Sequence, residues 1–129
     1  MHGNESIALM ALANIILIVD DDESDRAVLG AILEREGHEV FFAEDGEEAL
    51  LEYSEKVIDV VITDLQMPGL HGLELITMLR DLSAIIAISG TGESQLDMAQ
   101  ALGATVTLSK PVDHDELLNA VAKAVTGEA

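Results

Sequence analysis

Four separate segments of the chain end in residues able to do polar chemistry. Asp20, Asp21 and Asp22 follow the apolar run Asn14-Ile-Ile-Leu-Ile-Val19, and Asp64 follows Val60-Val-Ile-Thr63. Ser89 closes Ala84-Ile-Ile-Ala-Ile88, and Ser109-Lys110-Pro111 follows Ala104-Thr-Val-Thr-Leu108. An Asp after a strand is an ordinary turn former when taken alone. Together these residues can form a site. Carboxylates gathered within ~4 Å repel one another by roughly 1–4 kcal/mol per pair. A raised pKa on one of them, or a bound divalent cation, relieves that repulsion. An all-oxygen donor set with open positions suits Mg²⁺, which prefers a carboxylate plus phosphate oxygens and retained water. One carboxylate then becomes available as a nucleophile toward a phosphoryl group, giving an aspartyl phosphate. Lys110 offers a point charge and Ser89 a hydroxyl donor for the phosphoryl oxygens.

Whether these groups meet depends on the elements that carry them. The apolar run 14–19 is a strand buried on both faces, and 59–63, 84–88 and 104–108 read the same way, the last more weakly. His38 to Ala43 is a more exposed strand. Helical periodicity covers 27–36 with Gly37 as its cap, a segment from Asp45 to about Ser54, 73–82, 94–102 closed by Gly103, and 113 to about 125 with Gly127 after it. Asp45 with Glu48 and Asp113 with Glu116 have capping-box spacing. Strands alternating with helices imply right-handed βαβ units and a parallel sheet covered on both sides. Ligands of such sheets bind beyond the carboxyl ends of the strands, where all four polar segments fall.

Composition narrows the possibilities. The 129 residues suffice for one domain, with 49% hydrophobic residues for its core and only 2% aromatic ones. Six Lys and Arg against 25 Asp and Glu leave a formal charge of −19, which repels nucleic acid. There is no Cys, which excludes disulfides, thiolate catalysis and Cys-ligated zinc. The apolar stretch from Ile7 to Val19 is too short to span a bilayer, and Met1 to Ser6 carries no Lys or Arg for a secretory signal. The expectation is a cytoplasmic protein, with residues 1–13 an extension or linker, 14–126 the domain and 127–129 a tail.

The motifs Ile-Leu-Ile-Val-Asp20-Asp21-Asp22, Val-Ile-Thr-Asp64-Leu-Gln-Met-Pro68-Gly, Ala-Ile-Ser89-Gly and Ser-Lys110-Pro111 together resemble the receiver domain of two-component response regulators, over 14–125. The resemblance implies a flavodoxin-like (βα)5 three-layer sandwich with strand order 2-1-3-4-5. It implies Asp64 as phosphoacceptor, and Mg²⁺ (or Mn²⁺) held by Asp20, Asp21, Asp64 and the backbone carbonyl of Gln66. Ser89 and Lys110 match the phosphoryl-binding and switch residues, and Lys110-Pro111 matches a cis peptide. Asp22 falls outside the usual metal shell and is taken as loop charge. The implied partners are a histidine kinase or histidine phosphotransfer protein and a downstream protein or effector domain, with no direct nucleic-acid or membrane contact. The domain assists its own phosphorylation and dephosphorylation but is a signalling module rather than an enzyme.

Departures from the pattern are local. Thr107 stands where receivers often carry a switching Tyr or Phe, and His71 where the loop before Gly72 is usually acidic. Arg80-Asp-Leu-Ser-Ala84 is a short connection that either shortens the third helix or trims the loop. Met67, Met78 and Met98 read as core or loop packing, and Thr91 and Gln66 as positions that tune dephosphorylation. Two other readings compete. Asp20-x-Asp22 with Ser89 and Lys110 mimics a haloacid-dehalogenase-like phosphatase with Asp20 as nucleophile, which leaves Asp64 unexplained. A receiver-like interaction module that is never phosphorylated is the other.

Overall fold

The computed structural model describes residues 13–66, 72–90 and 93–126. Five strands alternate with five helices: β1 (Ile15–Val19), α1 (Glu23–Arg35), β2 (Glu39–Ala43), α2 (Gly46–Glu55), β3 (Val60–Asp64), α3 (Gly72–Leu79), β4 (Ala84–Ser89), α4 (Glu93–Leu102), β5 (Val106–Ser109) and α5 (His114–Thr126). All neighbouring strands are parallel, in the order β2-β1-β3-β4-β5. This is the flavodoxin-like three-layer fold expected from the sequence.

The period-two alternation of the strands divides the core into two layers. Leu17, Val19, Val61, Ile85 and Ala87 face α2, α3 and α4, where they meet Ala49, Leu75, Ile76, Leu79, Leu96 and Ala99. Ile16, Ile18, Val60, Ile62, Ile86 and Ile88 face α1 and α5, against Leu29, Leu33, Leu117, Ala120, Val121 and Ala124. Both faces being covered explains why β1, β3 and β4 read as unbroken apolar runs. Met78 and Met98 do not join this core: both are about half exposed, on the outer faces of α3 and α4.

The helix boundaries show which local signals were strong. α1 begins at Glu23, four residues before its apolar periodicity does, because Asp22 is its N-cap: the carboxylate accepts from the Asp25 N–H at 2.9 Å. Asp22 is therefore a structural cap rather than free loop charge. Gly37 closes α1 at φ +95°, a conformation that L side chains rarely adopt. Asp45 caps α2 by accepting from the Glu48 N–H at 2.8 Å, and Glu48 reaches back to the Glu44 N–H at 2.9 Å, one residue beyond the expected partner. Asp113 accepts from the N–H groups of Asp115 and Glu116 at the start of α5.

The third helix is the one cut short. It stops at Leu79 rather than continuing to Leu82, which is left 68% exposed. The chain must reach β4 within four residues, and Ser83 is held by a hydrogen bond to the Ile58 carbonyl at 2.6 Å. A further helical turn would carry Ser83 away from Ile58 and Ala84 away from Val60, its partner on β3. Gly127 lies outside the described residues.

Candidate functional site

The carboxyl ends of β1, β3 and β4 and the loop after β5 place the sequence's polar residues at one edge of the sheet. Asp20 directly follows β1 and is 2% exposed. Its N–H donates to the Ala43 carbonyl at 3.1 Å, and its Oδ1 accepts from the Asp22 N–H at 2.9 Å. Asp21 beside it is exposed. Asp64 is the last residue of β3 and is buried; its Oδ1 accepts from the Gln66 N–H at 3.0 Å. Gly72 lets α3 start against this strand end. A Cβ there would sit 2.5 Å from the Asp64 carbonyl oxygen and 2.9 Å from Leu65 Cα, inside backbone that cannot yield.

Lys110 closes the constellation. Its N–H donates to the Ser89 carbonyl at 2.9 Å, continuing the β4–β5 pairing, and the peptide to Pro111 is cis. Its Nζ donates to Asp64 Oδ2 at 3.0 Å, to Asp25 Oδ2 at 3.0 Å and to Asp20 Oδ2 at 3.4 Å. Residues 46 and 90 positions away in the chain are thereby joined. Ser89 is buried at the end of β4, one residue beyond the Asp64–Ile88 pair. Gly90 packs beside the Lys110 stem and the Gln66 side chain. Thr107 lies half-buried on β5, paired with Ala87. His71, Met67, Pro68 and Thr91 fall outside the described residues.

Electrostatics follow from this packing. Burial lifts the Asp20 pKa from 3.8 to about 6, helped by the charges of Asp64 and Asp25 and opposed by the Asp22 N–H and Lys110. Burial alone would lower Lys110, but hydrogen bonds to Asp25 and Asp64 and the charges of Asp64 and Asp20 hold it above an ordinary lysine. One carboxylate oxygen from each of Asp20, Asp21 and Asp64 lies within 4.8 Å of the others. The donors are all hard oxygens, and Asp20 resists ionising among them, so a small divalent cation fits the set chemically.

Asp25 escaped the sequence reading. With the helix taken to begin at Ala27, Asp25 fell in a loop with no defined direction. The signal that would have found it is the cap: with Asp22 at the N-cap, Asp25 stands in the first turn of a helix that starts at the site.

A parallel α/β sheet whose carboxyl edge gathers an acidic cluster, a lysine and a buried serine is the architecture of a phosphoacceptor receiver module. Residues 16–122 match the family model of the response regulator receiver domain, and the chain belongs to that family. It is 36% identical over 112 residues to sporulation initiation phosphotransferase F of Bacillus subtilis, covering 84% of this chain and 90% of that protein. It is 38% identical over 114 residues to the CAI-1 autoinducer sensor kinase/phosphatase CqsS of Vibrio cholerae, covering 83% of this chain but 17% of the kinase. A crystal structure of a response regulator receiver domain protein from Clostridium thermocellum superposes with a TM-score of 0.81 at 32% identity, covering 88% of this chain and 94% of that one.

Proposed function

We propose that Asp64 accepts a phosphoryl group from a phosphohistidine of a histidine kinase or phosphotransfer protein. The observation that carries this reading is the Lys110 ammonium, bonded to Asp64 and Asp20 across the sheet edge. In the transfer, a carboxylate oxygen of Asp64 forms the new O–P bond as the P–N bond to the donor imidazole breaks. The imidazole nitrogen keeps the electron pair and takes up a proton. Lys110 and the Ser89 hydroxyl then face phosphoryl oxygens. Asp20, Asp21, Asp64 and the Gln66 backbone carbonyl would hold Mg²⁺ or Mn²⁺. The cation supplies charge neutralisation for the incoming phosphoryl group.

The product changes a surface on this domain. Moving a two-state equilibrium from mostly off to mostly on takes about 5 kcal/mol of differential stabilisation, which several charge-assisted bonds to a new phosphate can supply. With Thr107 in place of an aromatic side chain, that output runs through Ser89 and Lys110 rather than through a ring. The receiver comprises residues 14–126, with 1–13 an extension and 127–129 a tail. Output passes to a downstream protein or effector domain. The charge of −19 favours protein partners with basic patches over nucleic acid. No described helix is long and apolar enough to cross a membrane. A phosphohistidine donor of this kind places the transfer in the cytoplasm. The domain assists its own phosphorylation without turning over another substrate.

The test is intact mass after acetyl phosphate and Mg²⁺. Wild type gains one phosphoryl group and Asp64→Asn gains none. Labelling that survives Asp64→Asn and disappears with Asp20→Asn would assign the nucleophile to Asp20 and overturn the reading.

A further inference from the structure

We propose that Asp25 is a latch on Lys110, a positioning residue that holds the ammonium before phosphorylation and is displaced by the phosphoryl group. The proposal rests on Asp64 being the phosphoacceptor. An ammonium has three N–H donors. All three are occupied, by Asp64 at 3.0 Å, Asp25 at 3.0 Å and Asp20 at 3.4 Å. Phosphorylation turns the Asp64 carboxylate into a neutral acyl group, so its bond to Lys110 passes to the charged phosphoryl oxygens, and those oxygens also compete for the donors that Asp25 and Asp20 hold.

The three are not equally held. Asp20 and Asp64 are buried, and each also accepts a backbone N–H, from Asp22 and Gln66. The Asp25 side chain is 45% exposed, and Lys110 is the only partner of its carboxylate among the described residues. Water can replace Lys110 at Asp25 at little cost, whereas releasing Asp20 would strand a buried charge. Asp25 is therefore the contact that yields. It also sits on α1 rather than on the sheet, so its release frees Lys110 from that helix. The contact opposes phosphoryl binding by a modest amount, as suits a half-exposed ion pair.

Beryllofluoride with Mg²⁺, a phosphoryl mimic, measures this without covalent chemistry. Its affinity is compared in wild type, Asp25→Asn and Glu23→Gln. The last removes one exposed carboxylate from the same helical turn without touching Lys110. Asp25→Asn is expected to bind about three- to fivefold more tightly, and Glu23→Gln to match wild type. In parallel, the ¹⁵N resonance of the Lys110 ammonium is followed in metal-free protein. It should move on Asp25→Asn and stay in place on Glu23→Gln. Equal tightening by both variants would make the effect one of net charge and overturn the latch. So would unchanged or weaker binding by Asp25→Asn, or an ammonium resonance indifferent to it. A wild type that binds no beryllofluoride would instead overturn the phosphoacceptor reading, and the latch with it.

Discussion

The two ends of the same five strands solve opposite problems. At the carboxyl edge, buried Asp20 and Asp64 are brought together with Lys110, and burial makes Asp20 reluctant to ionise. At the amino edge the polar groups pair in ways that disturb little. The Ile15 N–H donates to Asp59 Oδ2 at 2.8 Å, and the Asp59 N–H returns to the Ile15 carbonyl at 2.8 Å. Ser83 Oγ donates to the Ile58 carbonyl, which spends its one proton, so the Tyr53 hydroxyl must donate to Ser83 at 2.5 Å. His38 Nδ1 accepts from the Asn14 N–H at 3.0 Å. One edge holds mutually repelling carboxylates, whose charge a divalent cation would relieve. The other spends its polar groups on holding strand starts in place. A substitution should therefore trade stability against function at the first edge and cost stability alone at the second.

The largest effect on stability is expected from Asp20→Asn. The folded state holds the Asp20 proton more tightly than the unfolded chain does, so between pH 3.8 and about 6 this group removes stability as pH rises. Above about pH 6 the ionised carboxylate costs the metal-free protein on the order of 2–3 kcal/mol. Removing the charge should make Asp20→Asn more stable than wild type at pH 7.5 and no different below pH 3.8. Urea denaturation of both proteins across that range checks it. Adding Mg²⁺ should stabilise wild type and leave the variant unmoved. A variant less stable than wild type at pH 7.5 without metal would mean that the edge is not under electrostatic load.

The counterpart at the amino edge is Ser83→Ala. It leaves the Ile58 carbonyl and the Tyr53 hydroxyl without their partner, at a cost of about 1–2 kcal/mol. Phosphoryl labelling by acetyl phosphate should be unchanged, because nothing in the Tyr53–Ser83–Ile58 chain reaches Asp64. Denaturant midpoint and intact mass, measured on the same sample, separate the two effects. A loss of labelling in the folded variant would show that the two edges are coupled through β4.

These two edges were not equally legible from sequence. At the carboxyl edge most strand ends announce themselves, because an apolar run stops at Asp20, Asp64 or Ser89, while Lys110 follows the weaker run 104–108 and Ser109. Topology then places those ends together. The meeting of Asp20, Asp21, Asp64 and Lys110 could therefore be expected before any coordinates, while the strand order came only with the resemblance to receiver domains. What depends on a helix start without an apolar marker could not. The first turn of α1 is polar, so the cap role of Asp22 and the reach of Asp25 to Lys110 were hidden. Tertiary partners are silent for the same reason: the end of α3 is set by the bond from Ser83 to Ile58, 25 residues away. Nothing in the sequence marks Gly72, although its close approach to Asp64 forbids a side chain there.

His38 gives the smallest effect and the sharpest contrast in sign. Burial lowers its pKa below 6.5, against the opposing charge of Glu36. Its Nδ1 must be unprotonated to accept the Asn14 N–H, which lies beside the start of the β1–β2 pairing. As pH falls through the window below 6.5, the unfolded chain takes up a proton before the folded one. The stability His38 contributes is therefore present above pH 6.5 and lost on acidification, opposite to Asp20. The loss is bounded by one hydrogen bond, about 1 kcal/mol or less. His38→Gln, whose amide oxygen can accept but does not titrate, should flatten this component while leaving the rise from Asp20 intact. The check is the stability difference between His38→Gln and wild type at pH 5.5 and at pH 7.5. It should favour the variant at the lower pH. The same difference at both values would remove His38 from the pH response.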